Sequence, residues 1–101
     1  MLDNIRLARE LVADGDFEQF ASDWRSIYAA TRCLEIISEA SRRLDDTRTD
    51  RHPAVTWRDV ADAGNVYRHG YESVNARRVW DTIIEALPIL EKAVKAELEH
   101  H

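Results

Sequence analysis

The chain has 101 residues, with 14 Lys and Arg against 19 Asp and Glu, for a formal charge of −5. That length holds one domain with a modest core. The acidic balance excludes nucleic-acid binding driven by bulk charge, while leaving room for a local basic cleft.

Of the basic residues, 12 are Arg and 2 are Lys, a bias toward the planar fork that grips phosphates and carboxylates bidentately. An apolar run long enough to span a bilayer is missing, and so is a signal-peptide pattern. The chain is therefore expected to be soluble and cytoplasmic, with no membrane partner. Leu98-Glu99-His100-His101 reads as the start of a purification tag, so the domain is assigned to residues 1–97 and the tag remnant to 98–101. Without Glu99 the balance is 14 basic to 18 acidic residues, or −4. The single Cys33 forms no internal disulfide and falls within a helical pattern, where it reads as a packed thiol. His52 and His69 are the histidines outside the tag, and neither has a carboxylate at HExxH-like spacing. No metal and no cofactor are expected.

In chain order, the first helix is predicted from Asp3 to Ala13, with Ile5, Ala8, Leu11 and Val12 on one face, ending before Asp14-Gly15-Asp16. Asp16 is a candidate N-cap with Gln19 at the capping-box position. A stripe follows: Phe17, Phe20, Trp24, Ile27, Tyr28, Thr31, Leu34, Ile37, Ala40 and Leu44. Its spacing predicts one helix of about 28 residues, roughly 42 Å long. So long a helix outreaches a 100-residue monomer with a radius of gyration of about 13 Å, and calls for a partner subunit. Asp45 to Pro53 is expected to be a polar, solvated loop. Thr56 starts a third helix, with Asp59 as its reciprocal cap, running from Trp57 to about His69. A fourth begins near Asn75 and carries Val79, Trp80, Ile83, Ile84, Leu87, Leu90 and Val94, with Pro88 expected to kink or restart it. Tyr67 and Trp80 read as core. The pattern as a whole is that of an all-α, four- to five-helix antiparallel bundle that dimerises.

Chemistry concentrates in Gly64-Asn65-Val66-Tyr67-Arg68-His69-Gly70-Tyr71. On a regular helix Arg68 and Tyr71 share a face at i,i+3, while His69 points elsewhere. Gly70 takes left-handed conformations cheaply and suits a helix end. A helix finishing there turns Tyr71 back toward Arg68 and His69. A cation, an acid/base group and a hydroxyl then surround one phosphate-sized space.

The last two helices resemble the HEPN superfamily, and specifically the HepT-like ribonuclease toxins, and the resemblance extends over most of the chain, from about Arg32 to Leu90. Their hallmark is Arg, four arbitrary residues, His, one residue and Tyr, after a Trp-led helix and before a Val-Trp helix ending in Leu-Pro. The matching pieces are Trp57-Arg58-Asp59-Val60-Ala61, then Asn65, then His69-Gly70-Tyr71, Val79-Trp80-Asp81-Thr82 and Leu87-Pro88-Ile89-Leu90. Arg32-Cys33-Leu34-Glu35-Ile36-Ile37-Ser38-Glu39-Ala40 is similar to the family's second-helix signature, with Glu39 a weak candidate for an ion pair with an arginine. One position departs: the motif arginine falls on Gly64, and Arg68 stands immediately before His69 instead. Residue 68 lies one turn beyond residue 64 on the same face, so its guanidinium is placed to reach the space vacated at Gly64.

The resemblance implies a toxin-type endoribonuclease acting on RNA. It also implies neutralisation by an MNT-type nucleotidyltransferase antitoxin that attaches adenylate to Tyr71. Metal-free RNA cleavage needs a base for the 2′-hydroxyl, an acid for the departing 5′-oxygen and positive charge for the phosphorane. His69 is the candidate acid or base, since an imidazole titrates near neutrality. Arg68 is the candidate phosphate clamp. Tyr71 orients the phosphate or bonds the leaving oxygen, and Asn65 either contacts phosphate, holds the His69 ring or caps locally. Arg42, Arg43, Arg48 and Arg51 read as a solvated group rather than an RNA-entry rim. Two other readings stand beside this one: a catalytically impaired interaction module that has lost the arginine at Gly64, and a small-ligand-binding bundle using Arg68 and Tyr71 as phosphate grips.

Overall fold

The computed structural model describes residues 1–63 and 76–99. Among these residues every regular element is helical: α1 (Leu2–Ala13), α2 (Phe17–Ser22), α3 (Trp24–Arg42), α4 (Asp46–Asp50), α5 (Trp57–Asp62), α6 (Ala76–Asp81) and α7 (Leu87–Leu98). A π-helical turn, Thr82–Ala86, joins α6 to α7. The all-α bundle read from the sequence is the fold.

Helical periodicity builds its centre. Ile5, Ala8 and Val12 of α1 face Ala30, Cys33, Leu34 and Ile37 of α3, and Val79, Ile83, Leu87, Leu90 and Ala93 close the core from the α6–α7 rod. Cys33 is buried as expected, and burial pushes its thiol up. The Asp16 capping box forms: the Gln19 amide N–H donates to Asp16 Oδ1 at 2.9 Å, and the Asp16 N–H donates to Gln19 Oε1 at 3.1 Å.

Three expectations need correction. The helix expected to run about 28 residues is broken at Asp23, which is extended at φ −110° and ψ 93°. Asp23 Oδ1 accepts the Arg25 amide N–H and Oδ2 accepts the Ser26 hydroxyl, so this residue caps a new helix instead of continuing the old one. The second rod, α3, then has 19 residues, about 28 Å. It fits inside a molecule 41 × 30 × 19 Å with a radius of gyration of 13.5 Å, so helix length gives no reason for a partner subunit. Second, the expected loop Asp45–Pro53 contains α4, whose cap Asp45 accepts the Arg48 N–H at 2.9 Å. Third, Thr56 precedes α5 without a side-chain cap bond, so the reciprocal cap with Asp59 does not form.

Pro88 acts as expected, through a particular device. It has no N–H for the carbonyl four residues back, and its ring crowds that turn. The backbone widens just ahead of it, with the Leu87 N–H donating to the Thr82 carbonyl, and α7 starts with the proline in its first turn.

Candidate functional site

The residues proposed from sequence, Asn65, Arg68, His69 and Tyr71, together with Gly64, Tyr67, Gly70 and Asn75, lie outside the described residues. The described flanks are α5, ending at Asp62, and α6, starting at Ala76. What holds those two helices holds the chain that enters and leaves the motif.

Helix α5 has six residues and contributes Val60 to the core. So short a helix has little stability of its own and depends on tertiary anchors. At its start the Trp57 indole N–H donates to the carbonyls of Thr49 (3.0 Å) and His52 (3.3 Å). At its end two side chains of α3 reach across. The buried Ser38 hydroxyl donates to the Val60 carbonyl at 2.9 Å, and Arg42 Nη2 donates to the Ala61 carbonyl at 2.6 Å. Helix α6 is fixed by the fully buried Val79 and by Trp80. The Trp80 ring lies 5.9 Å from Phe17 edge-on and 5.6 Å from Phe20, so Trp80, read from the sequence as core, is half-buried and packs against the core from its edge.

Between the two helices opens a cleft of about 560 Å³. Leu34, Ile37 and Leu87 lie at its base, Asp59, Asp62 and Ala63 on the α5 side, and Arg77, Arg78, Asp81 and Glu85 on the other. Carboxylates therefore stand on both sides, and Arg77 and Arg78 bring positive charge. Arg77 is committed in part: its Nε lies 3.3 Å from Asp81 Oδ1, and its guanidinium sits 4.7 Å from the Phe17 ring. Sequence reasoning overlooked both arginines, although their place six and seven positions after Tyr71 was a usable signal.

The Arg42 to Arg51 group does not act as a unit. Arg42 binds α5. Arg48 and Arg51 line a separate cavity of about 670 Å³ with Trp57, Leu44 and the C-terminal end of α7. Arg51 pairs with Glu97 at 2.9 Å, and His52 Nε2 hydrogen-bonds the same carboxylate at 2.8 Å. The bond from His52 holds the Glu97 carboxyl below its ordinary value, with help from the Arg51 charge. Glu39 is exposed, while Arg32 pairs loosely with Glu35 at 3.8 Å. No helix among the described residues is long and apolar enough to cross a membrane.

With this frame in place, the family model for HepT-like ribonucleases matches residues 1–97. The chain belongs to the HepT-like ribonuclease family. It is 38% identical over 90 residues to a "Putative RNase" of Caldanaerobacter subterraneus, covering 89% of this chain and 80% of that one. It is 34% identical over 87 residues to the "Probable ribonuclease HepT" of Thermococcus cleftensis, covering 86% and 79%. A "Putative RNase" of Methanocaldococcus jannaschii is 30% identical over 86 residues, covering 85% and 79%. No solved structure matches. As a HepT-like protein the chain takes RNA as its expected substrate class, and the interval between α5 and α6 is where its motif falls.

Proposed function

We propose that this HepT-like chain is a toxin-type, metal-independent endoribonuclease that works as a homodimer and is silenced by an MNT-type nucleotidyltransferase antitoxin. The observation that carries the reading is His69-Gly70-Tyr71, preceded by Arg68, on the interval between α5 and α6 of a chain in this family. In this reading His69 takes the proton of the 2′-hydroxyl as its oxygen attacks phosphorus. The bond to the 5′-oxygen breaks, and that oxygen takes up a proton, leaving a cyclic phosphate and a 5′-hydroxyl. Two imidazoles facing a shared cleft, one from each copy, supply base and acid together. Arg68 neutralises the phosphorane, Asn65 contacts phosphate, and Arg77 and Arg78 add charge nearby. Tyr71 orients the phosphate and is the residue the antitoxin adenylylates. A cytoplasmic location suits an enzyme of cellular RNA.

Support for a second copy comes from the surface. Trp24 is 63% and Tyr28 44% exposed on α3, their rings 6.0 Å apart edge-to-face. Large exposed aromatic pairs mark contact surfaces.

Gly64 supports one alternative, a catalytically impaired module that binds the nucleotidyltransferase or nucleic acid without cutting. Incubating the protein and His69→Ala with tRNA and with single-stranded RNA separates the two. The ribonuclease reading expects cleavage by the first protein alone. Identical products from both would remove catalysis, and partner capture without cleavage would favour the module.

A further inference from the structure

We propose that Ser38 and Arg42, one turn apart on α3, are positioning residues: they fix the outgoing end of α5 and thereby the catalytic segment that follows it. The inference rests on the ribonuclease reading above for its kinetic consequence, though the anchor itself is a matter of structure.

A helix leaves its last carbonyls without internal partners. In α5 the Val60 carbonyl receives both the Ala63 N–H and the Ser38 hydroxyl, and the Ala61 carbonyl receives the Arg42 guanidinium at 2.6 Å. Positions 38 and 42 are i and i+4, so both donors rise from one face of α3 toward one helix end. Ser38 is 2% exposed, and the Ser41 hydroxyl donates to its carbonyl at 2.7 Å, which braces the turn that carries it. Arg42 adds a cation at the C-terminal, negative end of α5, where the helix dipole favours it. Residue 64 begins one position beyond Ala63. An end free to fray or tilt would carry His69 away from its reacting atoms without touching RNA, and an ångström of misplacement costs about 100-fold in rate.

Arg42 has a competing role as a phosphate contact, and kinetics tell the two apart. Single-stranded RNA cleavage is followed for the wild type, His69→Ala, Arg42→Met, Arg42→Lys and Ser38→Ala, with thermal melts of each. Arg42→Met is expected to lower kcat about 10- to 100-fold, leaving KM and its salt dependence unchanged. Arg42→Lys recovers most of the loss, because an ammonium also donates to a carbonyl. Ser38→Ala, where it folds, lowers kcat in the same way. A rise in KM with a weaker salt dependence in Arg42→Met would make Arg42 a phosphate contact and overturn the proposal. Amide hydrogen exchange at residues 60–63 reads the anchor without RNA. It should accelerate about tenfold in Arg42→Met and return toward the wild type in Arg42→Lys. Unchanged exchange overturns the proposal whatever the RNA assay gives. Equal cleavage by the wild type and His69→Ala overturns the ribonuclease reading alone.

Discussion

Replacing Trp80 with alanine tests how α2 is joined to α6. The break at Asp23 lets α2 lie against α6, where Phe17 and Phe20 hold the indole at 5.9 and 5.6 Å. Each aromatic pair contributes about 0.5–1.5 kcal/mol beyond area burial. Removing a fully buried Trp costs about 3–5 kcal/mol, and Trp80 is half-buried, so a total near 3 kcal/mol follows with the two ring contacts included. At about 4–8 °C per kcal/mol for a domain of this size, Tm should fall by roughly 12–24 °C. Calorimetry on Trp80→Ala, Phe17→Ala and the double variant isolates the pair. Phe17 also lies under Arg77, at 4.7 Å, but that contact is lost in both arms bearing Phe17→Ala and cancels to first order. A coupling of about 1 kcal/mol is expected between Phe17 and Trp80. Additivity within about 0.3 kcal/mol would mean that the Phe17 and Trp80 rings do not touch, leaving Phe20 as the ring that seats α2 on α6.

Leu34, 1% exposed in the core at the base of the cleft, should cost about 2.7–5 kcal/mol when cut to alanine, measured by urea unfolding. Glu97→Gln tests the His52–Glu97–Arg51 contact: a carboxyl held low when folded stabilises in full above its ordinary value of 4.5, and the effect is lost as pH falls through the lower folded value. The variant should therefore melt below the wild type at pH 7, with the gap closing as pH drops below 4.5; a gap independent of pH would assign the effect to packing. Light scattering at micromolar concentration should report about twice the 11.7 kDa chain mass, and a stable monomer would remove the shared cleft. Arg68→Ala should slow cleavage about 30- to 1,000-fold, from 2–4 kcal/mol of lost phosphorane stabilisation, and Gly64→Arg with Arg68→Val should restore it. Undiminished cleavage by Arg68→Ala would move the cation elsewhere, to the Arg42 to Arg51 group or to Arg77 and Arg78, which line the cleft between α5 and α6.

The core was legible because burial follows helical spacing: Ile5, Ala8 and Val12, then Leu34 and Ile37, then Val79, Ile83, Leu87 and Leu90 are the positions the pattern marks. The break at Asp23 was not legible from the same pattern. Phe17, Phe20, Trp24 and Ile27 keep i,i+3 and i,i+4 intervals across it, so apolar phase gives no warning that the chain has stopped and restarted. Only the polar residues tell: Asp23 with Ser26 three positions on supplies both an acceptor for a free amide and a hydroxyl to bind it. The consequence reaches beyond one helix. Trp24 would belong to a continuous stripe with Phe20, yet Phe20 is buried and Trp24 is 63% exposed. The short α4 escaped for the opposite reason, since Asp-Thr-Arg-Thr-Asp has no apolar position to mark a face and rests on local bonds that Asp45 accepts from Arg48 and Thr49.

For the site, the sequence displays chemistry where reactive side chains crowd together and hides support where partners are far apart along the chain. His69, Arg68 and Tyr71 stand within four positions, so their grouping needs no fold to be noticed. The anchor on α5 joins residues 22 and 19 positions apart, and a carbonyl acceptor has no identity in a sequence. One sign was nonetheless available. Ser38 and Ser41 fall at phases of α3 that are otherwise apolar, alongside Leu34 and Ile37, and both are buried. A hydroxyl on a core face costs stability unless it has a partner. Ser41 meets that need within α3, at the Ser38 carbonyl, whereas Ser38 takes an acceptor from another element. That acceptor is the carbonyl of Val60, just before the motif begins. The buried hydroxyl of Ser38 thus marks the outgoing end of α5 by a physical route independent of the resemblance.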